Sequence, residues 1–226
     1  MSSLTQLLAS HGRLLVLDAA STRVQVGLIR NDGPAHWRIV EEEAGTGLFT
    51  AIEGLLEEAG TKLNEIGAYI FCEGPGSMLG TRTVAMALRT WQVLQPRPIY
   101  AYQSLAVAAR GVWTQQARAF AVIADARRDT WHVQAVAADG RLATLQRVPV
   151  GELPAGELLT PENFRAWAQP PRPATACSYD LAKIFPTLAG GDYFRATEAP
   201  DAFQHEAPEY KKWSAQVHSA ATAPAK

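Results

Sequence analysis

The sequence predicts an α/β protein built as two lobes, each opening with a β-β-β meander. Three observations predict it. Residues 13–18 and 119–125 are apolar runs that each end in an aspartate and lead into an alternating, strand-like segment. Between them, two stretches of helical period flank Ala68-Tyr69-Ile70-Phe71-Cys72, a nearly continuous apolar run of the kind found in strands covered on both faces. Finally, 226 residues with 47% hydrophobic side chains suffice for one larger domain or two small lobes with a sizeable core.

Residues 1–12 are expected to be a short extension without basic or long apolar character, unlike a signal peptide. The first lobe, 13–115, opens with strands at 13–18, 24–29 and 37–40, the last two separated by the turn Asn31-Asp32-Gly33-Pro34. A helix follows, with Leu48, Ile52, Leu55, Leu56 and Ala59 on one stripe, Thr46 as its cap and Gly60 as its stop. After the strand at 68–72 comes the tight loop Glu73-Gly74-Pro75-Gly76-Ser77. Ser77 is placed to cap a helix over 78–94, followed by a strand at 98–102 and an Ala-rich helix at 104–112. The second lobe, 116–213, repeats the opening with strands at 119–125, 131–136 and 142–148 around the hairpin turn Asp139-Gly140. Farther on, a helix over 161–167, a strand at 174–177 and a short helix over 179–185 are expected. Residues 214–226, rich in Ala, Ser and Pro, are expected to be a disordered tail.

Charge restricts the function classes. There are 21 basic and 22 acidic residues, net −1, and the densest basic pairs, Arg127-Arg128 and Lys211-Lys212, are short. A protein that grips nucleic acid alone usually carries a basic surplus, so any contact with RNA is expected to be shared with a partner. Cys72 and Cys177 stand far apart and form no C-x-x-C pair, which fits reduced thiols better than a redox or zinc motif. No apolar run reaches the ~20 residues of a membrane span, and a cytoplasmic location is expected, with no membrane contact.

The order β-β-β-α-β-α-β-α followed by a second β-β-β lobe is the layout of the actin-like ATPase (ASKHA) superfamily, one candidate among several α+β folds on pattern alone. Four motifs sharpen it. Leu15-Val16-Leu17-Asp18-Ala19-Ala20-Ser21-Thr22 resembles an opening strand with a D-T-S-T turn. Gly74-Pro75-Gly76-Ser77-Met78-Leu79-Gly80-Thr81-Arg82 resembles G-P-G-S-F-T-G-x-R, and Ser104-Leu105-Ala106-Val107-Ala108-Ala109 resembles an S-L-x-x-L-A helix start. Val122-Ile123-Ala124-Asp125-Ala126-Arg127-Arg128-Asp129-Thr130-Trp131 resembles V-x-I-D-A-R-x-x-E-V-Y. Together with a weaker fifth, Ala207-Pro208-Glu209-Tyr210-Lys211-Lys212, these resemble the TsaB (YeaZ) family of tRNA threonylcarbamoyladenosine biosynthesis proteins. The resemblance covers residues 13–135 well and 150–205 poorly. Met78-Leu79 in place of Phe-Thr, Glu73 beside the loop and Ala19 in place of Thr mark a divergent member.

The resemblance implies a non-catalytic scaffold. TsaB-like proteins bind TsaD, together with the ATPase TsaE, and TsaD transfers threonylcarbamoyl to the adenosine next to the tRNA anticodon. The tRNA is then met only through the complex, and a homodimer is the competing assembly. The predicted contacts are Phe49, Ile52, Leu56, Arg82, Met86 and Arg89 on the two first-lobe helices. In working actin-like ATPases the acids corresponding to Asp18 and Asp125 help place Mg²⁺ beside the phosphates. Asp18, Ser21, Thr22, Gly74, Gly76, Ser77 and Asp125 therefore mark a vestigial nucleotide or anion site, its turns lacking the phosphate-approaching glycines. Equally, Gly74, Gly76 and Ser77 serve a strand-to-helix turn without any ligand, and each Asp closes its own turn. No cofactor is expected beyond such weak nucleotide binding. No metal is expected either, since the metal-binding His-x-x-x-His of TsaD has no counterpart: the first helix holds no histidine, and His11, His36, His132, His205 and His218 are scattered. Two rivals stay open: an actin-like small-molecule kinase or ATPase, for which Gly190-Gly191 is the one adenosine-type glycine doublet, and a self-associating homodimer without a modification role.

Overall fold

A computed structural model describes residues 1–204. The fifth motif and the tail over 214–226 lie outside the described residues. The first sheet has six strands: β1 (Arg13–Asp18), β2 (Val24–Arg30), β3 (His36–Val40), β4 (Ala68–Gly74), β5 (Ile99–Gln103) and, from far along the chain, β11 (Arg195–Ala196). Its order is β11-β5-β4-β1-β2-β3. β1 runs parallel to β4 and antiparallel to β2, with Val16 opposite Ile70 and Gly27. This places β1 and β4 centrally, and their continuous apolar runs are buried on both faces as expected.

The second sheet holds β6 (Phe120–Asp125), β7 (Thr130–Val136), β8 (Gln146–Pro149), β9 (Leu158–Pro161) and β10 (Thr175–Cys177), in the order β10-β9-β6-β7-β8. The two aspartates that close the first strand of each meander thus sit at equivalent positions. β9 escapes the sequence reading because Leu158-Leu159-Thr160 is too short a run to show a period. The helix expected over 161–167 does not form. Pro161 pairs within β9, and Asn163 takes a left-handed backbone (φ 64°) that no α-helix contains.

Two helices cover one face of the first sheet. α2 (Ala44–Glu58) buries Leu48, Ala51, Ile52, Leu55 and Leu56. Its cap is Glu43 rather than Thr46, which lies inside the first turn, and it ends at Gly60 (φ 59°). α3 (Met78–Leu94) starts on Ser77, whose hydroxyl accepts from the Gly80 N–H as the sequence predicts. The opposite face packs on α4 (Ser104–Gln115), on the short α5 (Leu181–Ile184) and on the first helix, forming one core that runs into the second lobe.

Residues 1–12 are not a loose extension. Leu4–His11 form α1, closed by a reciprocal Ser3–Gln6 capping box and ended at Gly12 (φ 73°). Leu4 and Leu7 enter the core, and Ser2 pairs with Phe194. The segment that follows α5 therefore returns to the first sheet, between α1 on one side and β5 on the other. Among the described residues no helix is long and apolar enough to cross a membrane.

Because Leu7 is 3% exposed in this core, Leu7→Ala is expected to lower the unfolding free energy by about 3 kcal/mol. Urea denaturation read by circular dichroism checks this; a change of only a few tenths would mark α1 as an appendage.

Candidate functional site

The carboxylate of Asp18 is sealed. It accepts from the Tyr102 and Tyr179 hydroxyls, both at 2.6 Å, and from the Ala20 N–H at 2.9 Å. Tyr102 comes from β5 and Tyr179 from just before α5, and Cys72 Sγ lies 3.9 Å from the Tyr179 hydroxyl. Gln25, also fully buried, donates to the Tyr179 carbonyl and accepts from the Leu181 N–H. A carboxylate with all its neighbours supplied by the protein and no solvent access has no face left for Mg²⁺ or phosphate. Burial pushes its pKa up, against the pull of the two phenols and the Ala20 amide.

The Gly74–Ser77 loop is closed in the same way. Ser77 N–H donates to the Ala20 carbonyl at 2.6 Å. A Cβ on Gly76 would stand 2.3 Å from that oxygen, and one on Gly80 would stand 2.1 Å from the Ala19 oxygen. The glycines thus admit this chain's own first turn rather than an anion. Ser21 turns back on the Arg23 backbone, and the Thr22 N–H is spent on the Asn163 carbonyl. Glu73, beside the loop, is pushed up by burial although Arg195 ion-pairs with it at 2.6 Å and opposes that shift. Gly190 and Gly191 lie in the turn before Phe194, with the Tyr193 ring filling the side-chain space of Gly191.

Asp125 behaves differently. Its carboxylate accepts from the backbone N–H groups of Arg127, Trp167 and Ala168 at 2.6, 2.6 and 2.9 Å. Partial burial works against its charge, but these three donors prevail and hold the group below the usual carboxylate range. So the structure brings Asp18, Gly74, Gly76 and Ser77 to one cleft, but as its packing. Asp125, across the cleft, organises a loop. Among the described residues no group of three or more His, Cys, Asp or Glu side chains could hold a metal ion.

The predicted contact residues divide. Ile52 and Leu56 are 4% and 8% exposed and face the sheet, so they are core rather than surface. Helical period marks a stripe, and that stripe belongs to this chain. Arg89 is exposed but binds the Pro200 carbonyl and the Asp201 carboxylate, strapping the chain's later segment to α3. Phe49, Arg82 and Met86 do lie outside. With Leu79, Thr83, Thr90 and Trp91 they line an open groove of about 440 Å³ between α2 and α3. Leu79 at 78%, Met86 at 57% and Val93 at 85% exposure make α3 apolar on its outer side as well as its inner one. Leu79 and Val93 are not among the predicted contacts, although their place on a helix with apolar residues on both sides is the signal that points to them.

Because the folded chain raises the pKa of Asp18 above the ordinary value of 3.8, it binds that proton more tightly than the unfolded chain does. Asp18 should therefore add stability as pH falls from neutrality through its raised pKa, levelling off below 3.8 where both states are protonated. Asp18→Asn removes this component. Urea titrations from neutral to mildly acidic pH should show the variant gaining less than the wild type; parallel curves would refute it.

A family model described as TsaD: tRNA N6-adenosine threonylcarbamoyltransferase matches residues 38–146, just under half of the chain. No curated protein matches. Among solved structures, YeaZ from Pseudomonas aeruginosa is 25% identical, with a TM-score of 0.62 over 79% of this chain and 91% of its own. An uncharacterised protein with similarity to peptidase YEAZ from the same organism is 23% identical, with a TM-score of 0.62 over 88% of this chain and 99% of its own. With its two mixed sheets, the chain has the actin-like ATPase fold, and it resembles YeaZ.

Proposed function

We propose that this chain acts in the biosynthesis of threonylcarbamoyladenosine in tRNA as a non-catalytic accessory subunit, docking its α2/α3 face onto TsaD in an assembly that also includes TsaE. The observation that carries the reading is the outer side of α3. Leu79, Met86 and Val93 stay exposed on a helix whose inner side already covers the sheet, so a second apolar face is left over. Phe49 on α2 and Trp91 deepen the groove between the helices, and Arg82 gives it one charged edge. Such a ridge-and-groove surface suits a partner pair of helices better than a small ligand.

The cleft supports the same reading. A kinase or ATPase of this fold needs its first-strand acid open to metal and phosphate. Here Asp18 is enclosed by Tyr102 and Tyr179, and the glycines of the loop admit Ala19 and Ala20. The sequence and fold resemblance to YeaZ supplies the pathway.

Size-exclusion chromatography with light scattering, on this chain alone and mixed with TsaD of the same organism, tests the proposal. A stoichiometric heterodimer is expected. Met86→Glu places an unpaired charge in the buried contact and should weaken the complex at least tenfold, about 1.4 kcal/mol, with unchanged thermal stability. A homodimer that persists and ignores TsaD would overturn the docking role.

A further inference from the structure

Between the lobes, near the sealed Asp18, lies a second feature that the docking role does not use. A cavity of about 550 Å³ is lined from the first lobe by Gly76, Ser77 and the first turns of α3, and from the second lobe by residues around Asp125 and Trp167. Three guanidiniums from three separate elements line it: Arg82 on α3, Arg127 in the β6–β7 turn and Arg165 in the loop after β9. Arg128 and Arg127 line an adjoining cavity that shares Trp167. Among the described residues neither Arg82 nor Arg165 has an ion-pair partner. The carboxylate in the cavity, Asp125, is engaged by three backbone N–H groups. This excess of positive charge stands in a chain whose net charge is −1, and an anion entering the cavity meets arginines from three elements.

Trp167 identifies the kind of anion. It is 71% exposed, with the Arg127 guanidinium 4.9 Å from its ring centre. Its backbone is held: Asp125 Oδ2 accepts from the Trp167 and Ala168 N–H groups, placing the residue at the cavity. An inorganic anion accounts for the arginines, and the exposed indole then contacts Arg127 alone. A phosphate chain with unpaired bases uses both, since phosphates pair with guanidiniums and any base has a face to stack on an aromatic ring.

We propose that this cavity binds a single-stranded segment of RNA, with phosphates on Arg82, Arg127 and Arg165 and an unpaired base on Trp167. The choice of RNA among phosphate chains rests on the proposed role in tRNA modification; the cationic cavity does not. Arg82 and Leu79 line both this cavity and the docking groove. The RNA then runs along the edge of the α2/α3 face, shared between this chain and its partner.

The test is fluorescence anisotropy of a labelled single-stranded RNA oligonucleotide against the full chain. Saturable binding is expected at about 50 mM salt, with a log–log salt slope of about −2, since three phosphate contacts on a single strand release ~0.7 counterion each. Arg165→Glu and Trp167→Ala, which lie outside the docking groove, should each weaken binding about tenfold or more. No saturable binding up to about 100 µM protein, or affinity that survives Arg165→Glu, overturns the proposal. Displacement of the RNA by AMP or ATP at equal concentration, with mononucleotide binding lost in Arg165→Glu, overturns it in favour of a mononucleotide site. Retained RNA binding without a TsaD complex leaves this inference standing and fails the docking role alone.

Discussion

The rest of the structure depends on the cost of burying one carboxylate. Asp18 closes β1 at a point with no solvent, and an ionisable group there is tolerated only if its lone pairs are taken up by donors. The donors come from near and far along the chain: the Ala20 amide in the adjoining turn, the Tyr102 hydroxyl at the end of β5, and the Tyr179 hydroxyl 161 residues away. Gln25 on β2 anchors the same distant segment through the Tyr179 carbonyl and the Leu181 N–H. The two lobes are thereby held by hydrogen bonds of definite geometry, as well as by the shared apolar core. Losing any one donor leaves a buried acceptor short, so the arrangement is all or nothing.

That latch sets the position of α3. The first turn of the chain, Ala19-Ala20, is held by Asp18, and the Gly76 and Gly80 backbones press against its two carbonyls at distances no side chain permits. The helix that starts at Ser77 is thus fixed at its first turn, with Val84 and Leu88 directed into the sheet. Its rotation follows, and with it the outward direction of Leu79, Met86 and Val93. A loop motif that reads as a phosphate cradle serves instead as a mount that aims an apolar face away from the molecule.

Much of this was legible in the sequence where the signal is local. β1, β4 and β6 are continuous apolar runs and form where expected; Ser77 caps α3; the turn at Asp139-Gly140 forms between β7 and β8. Failures arose where structure rests on distant partners. Ile52 and Leu56 share a helical stripe that period alone cannot assign to the chain's own sheet or to a partner, and the sheet claims it. Trp167 and Ala168 cannot join a helix because their N–H groups are taken by Asp125, more than 40 residues earlier. α1 depends on contacts with residues 189–194 that nothing within 1–12 reveals. The tyrosines that enclose Asp18 carry no motif at all, since a phenol near a carboxylate is visible only after folding.

Asp18 and Asp125 show how far equivalent positions can part. Both end the first strand of a meander, and both accept the N–H of a residue two along in the turn. Asp18 is then shut in by two phenols, and burial dominates its chemistry, raising its pKa. Asp125 stays near solvent, collects two more backbone donors, and keeps its charge more easily than a free carboxylate. The difference lies in what meets each acid: aromatic side chains that fill space around Asp18, a loop backbone that leaves space beside Asp125. An actin-like nucleotide site needs both acids facing one ligand, and here one is walled off while the other supports a rim. The cleft is therefore divided into a packed base that holds the lobes and an open, cationic mouth. Unpaired charge and exposed apolar surface are thereby left at its rim and on the outer side of α3.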